Sequence, residues 1–141
     1  MAEATFFIAQ EPTKFHGCTR GLEVVIDPDR DTATRSIDFL LMALGSCTIA
    51  TITNYLRRKN LPIENMRVVL SSEVDTASNR YSDINVDIML DDEIAEEQAK
   101  IIASIAKTCR IHKTLEDAVN VKIEVNNNAR QIGGIPADLA R

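Results

Sequence analysis

The residues best suited to chemistry in this chain are three cysteines, Cys18, Cys47 and Cys109, and two histidines, His16 and His112. A cysteine is a small core hydrophobe when protonated and a nucleophile or metal ligand when ionised. Cys47 lies midway in a long apolar run, where a packed thiol and a reactive one both fit. The preceding Gly45-Ser46 bears on the choice. If that pair breaks a helix, Cys47 lies in the first turn of the next helical segment. Unsatisfied N–H groups there would stabilise a thiolate. Cys109 closes the apolar face of a second predicted helix, 62 residues further on. Core packing is again one reading, and a partner thiol for Cys47 is the other. Two inward thiols from two helices can act as a peroxidatic and resolving pair.

Cys109-Arg-Ile-His112 places a thiol three residues from an imidazole. A structural zinc site needs four ligands, and only His16, Cys18 and Cys47 remain to complete one, so no metal is expected. As a thiolate–imidazole pair it competes with a plainer role for His112, a helix-end histidine satisfying carbonyls. Cys18 falls in FHGCTRG and is read as an incidental, partly exposed thiol in a turn. There is no CxxC, which excludes a thioredoxin-type dithiol by spacing. GxGxxG, P-loop, HExxH and GxSxG motifs are also absent, and no cofactor is expected.

The elements that must position these groups can be read from hydrophobic periodicity. Thr5–Ala9 and Leu22–Ile26 read as short strands with a turn near His16-Gly17, and 27–31 reads as a loop. From Ser36 the pattern becomes helical. Residues 37–44 are almost wholly apolar, and Ile49, Ile52, Tyr55 and Leu56 continue at helical spacing. Thr34 or Ser36 can cap the start, with Asp38 in the first turn. Leu61-Pro62 is expected to end this helix, and Arg57, Arg58 and Lys59 to form its polar end. A helix apolar on most faces is buried on most faces, either by other elements or by a partner chain. Met66, Val68 and Leu70, then Ile84, Val86, Ile88 and Leu90, alternate with polar residues as an antiparallel hairpin. Asp91-Asp92 is expected to cap the second helix, with Ile94, Ile101, Ile105 and Cys109 on one face. Val119, Val121, Ile123 and Val125 read as a last strand. The expected order ββ-α-ββ-α-β is an α+β layout.

Composition limits the function classes. The 141 residues suit one domain, expected over 1–126, with a loosely ordered tail over 127–141. A net charge of -5 gives nucleic acid no electrostatic footprint, and 4% aromatics gives bases little to stack on. The N-terminus lacks the charged and apolar regions of a signal peptide, and the apolar stretch Phe39–Leu44 is too short to span a bilayer. The expectation is a cytoplasmic protein without a membrane or nucleic-acid partner, in which the cysteines are not a disulfide framework.

Two segments carry a resemblance. Ser36-Ile-Asp-Phe-Leu-Leu-Met-Ala-Leu-Gly-Ser-Cys47, continued by Tyr55-Leu-Arg-Arg-Lys-Asn-Leu-Pro62, resembles a family segment in which a Pro-Glu-Glu-Leu-like run leads to Ala-Leu-Gly-Ser-Cys. Cys109-Arg-Ile-His-Lys-Thr-Leu-Glu116 resembles the same family's Cys-Pro-Val-His-Arg-Thr-Leu-Glu. This is the OsmC/Ohr family of osmotically induced and organic-hydroperoxide-resistance proteins, and the likeness runs from about Gly17 to Val125.

The resemblance implies an intertwined homodimer, with antiparallel sheets wrapped around two long central helices and active sites at the interface. It implies a peroxidase in which Cys47 attacks an organic hydroperoxide and Cys109 resolves the sulfenic acid. A dithiol reductant, such as a lipoylated protein, then restores both thiols. Active relatives place a Glu ten residues before the first cysteine. Here that position is Ile37, and Asp38 is the nearest acid. They also supply an Arg from the N-terminal hairpin, for which Arg20 and Arg35 are candidates. Arg110-Ile111 stands where the family has Pro-Val. These departures place the chain nearer the general OsmC-like branch. The expected site is Cys47, Cys109, Asp38 and Arg20. The competing reading on the same fold is a binding protein with inert cysteines and an apolar interface pocket. Thiol transfer that also uses Cys18 ranks last.

Overall fold

The computed structural model describes residues 6–9 (backbone only), 15–26, 34–61, 66–90, 95–117, 121 and 123. They fall into two compact units, 1–39 with 121–141, and 40–120.

The first unit holds a three-stranded antiparallel sheet in the order β1-β2-β3, formed by β1 (Phe6–Ala9), β2 (Phe15–Thr19) and β3 (Leu22–Ile26). The expected turn at His16-Gly17 is instead the middle of β2, where His16 pairs with Ile8 and Val25. The chain reverses at Arg20-Gly21, with φ of 45° and 78°. Two positive φ values in a two-residue loop match the right-handed twist of the flanking strands, and glycine takes the second at no steric cost. Cys18 is therefore a half-buried strand residue opposite Phe6 and Glu23, not a turn thiol.

Helix α1 (Ser36–Arg58) is continuous, so the break that Gly45-Ser46 could have marked does not occur. Gly45 serves packing instead. A Cβ there would lie 2.7 Å from Leu70 Cδ1, so glycine lets strand β4 come close to the helix. At the start, Arg35 N–H donates to the Asp38 carboxylate at 2.8 Å, so the cap is Asp38 reaching back rather than Thr34 or Ser36. At the end, Asn60 turns left-handed at φ 53°. Leu61 N–H then reaches the Leu56 carbonyl and Asn60 N–H the Arg57 carbonyl. That paired arrangement ends the helix before Leu61, and Pro62 lies outside the described residues. Arg57 and Arg58 occupy the last turn as expected.

Burial on α1 is narrower than its sequence suggests. Ile37, Leu44, Thr48, Ile52 and Leu56 form one buried stripe, while Leu40 and Met42 are exposed. At 23 residues the helix spans about 34 Å. By length and composition it is long and apolar enough to cross a membrane, contrary to the expectation from Phe39–Leu44 alone. The core helix of a soluble protein meets the same criterion.

The second unit is built on the antiparallel hairpin of β4 (Arg67–Asp75) and β5 (Arg80–Met89). Val68, Leu70, Ile84, Val86 and Ile88 are half-buried on one face, as the alternation predicts. Asp75 closes the turn by accepting from Ala77 N–H and the Ser78 hydroxyl. Opposite Ser72 the register slips, and Asp83 takes a φ of 49° at this bulge.

The expected single second helix is two. Helix α2 (Glu96–Ala106) starts at Ala95 without a side-chain cap, and α3 (Arg110–Glu116) comes after a turn at Lys107-Thr108. Asp91, Asp92 and Ile94 lie outside the described residues. The buried residue of α2 is Ile102, whereas Ile101 is 45% exposed, so the face led by Ile101 is corrected by about one position. Ile102 meets Ile52 and Leu56 of α1 in the core, with Tyr55, Leu61, Met66, Ile88, Leu90 and Ala106 packed around them. Among the described residues the order is βββ-α-ββ-αα, an α+β arrangement. Of the expected last strand, Val121 and Ile123 are described, and both are exposed outside any strand. Its other residues and the tail lie outside the described residues.

Candidate functional site

Cys47 projects from the middle of α1, and Cys109 is the residue at which the chain enters α3. The fold brings the two thiols close enough to shift each other's ionisation. Cys109 is 1% exposed and Cys47 is half-buried, so a reagent from solvent meets Cys47 first.

The two sulfurs are held differently. Burial raises the Cys47 thiol, but the Cys109 S–H and the backbone N–H groups of Ile111 and Arg110 all favour its thiolate, and the net direction is downward. Arg110 and Ile111 open α3, so these are N–H groups without an intrahelical acceptor. The Thr51 hydroxyl also faces the sulfur. It has one proton, and that proton goes to the Cys47 carbonyl at 2.7 Å, so we give it no part in holding the thiolate. Cys109 is raised by burial first and by the neighbouring Cys47 second, against weaker donation from the His112 and Ile111 N–H groups. The Cys47 thiol is thus the one shifted downward and the Cys109 thiol the one shifted upward. A helix terminus does act on Cys47, but it is that of α3 and not the conditional break in α1.

His112 is in the first turn of α3, not at a helix C-terminus, so it satisfies no terminal carbonyls there. Its Nε2 is buried and lies 2.8 Å from the Glu116 carboxylate, but off the direction needed for a hydrogen bond. The two groups are therefore close without being hydrogen-bonded. His112 also lines a cleft of about 480 Å³ with Leu44, Arg80, Asp83, Leu115 and Glu116.

Asp38 and Arg20 belong to the first unit. The Asp38 carboxyl is pulled below the usual range, chiefly by the Arg35 backbone N–H, with burial opposing and the Arg35 guanidinium assisting at 3.4 Å. Arg35 is thereby tied to Asp38. Arg20 lies in the hairpin turn. Phe15, Ile26, Ser36 and Phe39 of the same unit line an apolar recess of about 330 Å³. Sequence reasoning missed the N–H groups of Arg110 and Ile111, since backbone donors leave no residue-type signal. The polar Lys107-Thr108 ahead of Cys109 was the available hint that a new helix starts there.

Solved structures with the same fold include an OsmC-like protein of Mycoplasma pneumoniae, at a TM-score of 0.71 and 17% identity over 80% of this chain and 86% of that one. A Psychrobacter arcticus protein assigned to osmotic stress and detoxification responses gives 0.70 and 18% over 81% and 88%. An OsmC-like hydroperoxide resistance protein of Jannaschia gives 0.50 and 16% over 81% and 83%. Comparison with curated protein sequences gives no match. The family model for OsmC-like proteins matches residues 28–124, a span that includes both cysteines, and the chain belongs to the OsmC-like family.

Proposed function

We propose that this protein is a thiol-dependent peroxidase that reduces organic hydroperoxides through Cys47 and Cys109. The observation that carries the reading is the asymmetry of the pair. The more accessible thiol is the one whose anion is stabilised, by the Cys109 S–H and the α3 N–H groups. The buried thiol stays protonated. A thiolate is the nucleophilic form, and the attacking sulfur must meet substrate. Inert core cysteines would both be raised by burial, and Cys47 runs the other way.

The chemistry takes two steps. The Cys47 thiolate attacks the terminal oxygen of ROOH and breaks the O–O bond. Sulfur is oxidised to a sulfenic acid, and the alkoxide leaves to be protonated as ROH. The Cys109 sulfur then attacks Cys47 Sγ, and water departs as the disulfide forms. A dithiol reductant returns both cysteines to thiols and is itself oxidised to a disulfide. The two thiols already influence each other in the resting protein, so the disulfide joins groups that lie together before oxidation.

The active form in this reading is a homodimer in the cytoplasm. The exposed Leu40 and Met42 on α1 support it, because a helix this apolar gains from a second copy covering it. Asp38 and Arg20 enter as supporting groups by resemblance alone.

Cys109→Ser tests the assignment of roles. Serine keeps a hydroxyl donor beside Cys47 but cannot form the disulfide. With no added thiol, the variant should stop at the sulfenic acid after one equivalent of cumene hydroperoxide and be labelled on Cys47 by dimedone. A variant no better labelled than the wild type would overturn the resolving role of Cys109.

A further inference from the structure

The resolving step has a chemical requirement that the two cysteines do not meet. Cys109 attacks as a thiolate, yet burial and the neighbouring sulfur keep it protonated. Something must take its proton.

His112 is placed for this. It is three residues past Cys109, the N-cap of α3, and a side chain at that position lies on the face that leads back to the cap. Its backbone N–H is among the groups that favour the Cys109 thiolate. One turn further along, the Glu116 carboxylate lies 2.8 Å from Nε2. A carboxylate beside Nε2 favours the tautomer protonated there and leaves Nδ1 as the acceptor. The buried Nε2 lacks an aligned partner in the resting protein. Such an orphan costs stability, and native proteins keep few of them. It has a use if the ring changes charge during the cycle. Once Nδ1 gains a proton, a small ring rotation aligns Nε2–H with Glu116 and neutralises the new charge.

We propose that His112, held by Glu116, is the acid–base group of the resolving step. It takes the thiol proton of Cys109 as that sulfur attacks Cys47 Sγ, and returns it to the leaving group. When the leaving group is the sulfenic hydroxyl, the product is water and the atoms balance. The other charged or titratable side chains on the His112 cleft are Asp75, Arg80, Tyr81 and Asp83 of the β4–β5 hairpin. Asp75 is occupied by Ala77 and Ser78 of its own turn. The inference deepens the peroxidase reading and rests on its assignment of roles to the two cysteines.

The test avoids peroxide, so that its failure is distinct from failure of the peroxidase reading. In a Cys18→Ser background, DTNB should release one equivalent of thionitrobenzoate from Cys47. A second is released when Cys109 attacks the mixed disulfide. His112→Gln should slow the second release by about a hundredfold, the lower end of what a positioned acid–base group contributes. The first release should stay within about twofold, as the Cys47 donors are untouched. Glu116→Gln, which keeps the shape, should slow the second phase less and shift its pH profile, an effect that a merely structural role would not produce. A second phase unchanged in rate and pH profile in both variants would overturn the proposal. Whether hydroperoxide oxidises Cys47 is read separately, in the wild-type protein.

Discussion

Cys47→Ser should reduce turnover of organic hydroperoxides to the level of a blank reaction while leaving the fold intact. A serine hydroxyl does not ionise in the accessible pH range, and the donors around position 47 stabilise an anion that serine cannot supply. The site is half-buried, and oxygen for sulfur is a small change in volume. Circular dichroism and melting should therefore stay close to wild type. Retained turnover would move the chemistry to another residue. The pH dependence of the wild type carries a second sign. Because the Cys47 thiol is held below the ordinary value, its reaction rate should rise with pH and level off before an unperturbed thiol would. Stability depends on the same shifts. The contribution of Cys47 is present above its unfolded value and lost as pH falls through its folded one. That of Cys109, which is raised, is present below its unfolded value and lost as pH rises through its folded one.

Ile52→Ala should be among the most destabilising single changes in the chain, with no direct effect on the thiols. Ile52 is fully buried and joins α1 to α2 through Leu56 and Ile102. Truncating such a side chain loses its transfer free energy and leaves a cavity, and helices on two sides limit collapse. The expected cost is about 3 kcal/mol, which lowers the thermal midpoint by roughly 10 °C. Denaturant melts at several protein concentrations would check this and the homodimer together, since association makes the midpoint rise with concentration. A loss under about 1 kcal/mol would contradict the central place given to Ile52.

The parts of the fold legible in the sequence are those where one residue pattern has one physical meaning. The β4–β5 alternation marks a half-buried hairpin, and the apolar run with Arg57 and Arg58 behind it marks α1. The misread parts had two meanings. Gly17 suits a turn or a strand, and its choice as a turn hid β2, while the real reversal was the Arg20-Gly21 step. Gly45 suits a helix break or a close approach, and it makes the approach to Leu70. The turn at Lys107-Thr108 has neither glycine nor proline, so α2 and α3 read as one helix. That error mattered at the site. With α3 separate, Cys109 sits at a helix entrance and the N–H groups of Arg110 and Ile111 are free for Cys47. Their meeting is tertiary, and no spacing along the chain encodes it.

The most direct measurement treats the fully reduced wild-type protein with one equivalent of cumene hydroperoxide, and separately with hydrogen peroxide, and maps disulfides by mass spectrometry. A Cys47–Cys109 disulfide should form rapidly, and faster with the organic peroxide, with Cys18 left reduced. Thiols that stay reduced in peroxide excess, or a disulfide through Cys18, would contradict it.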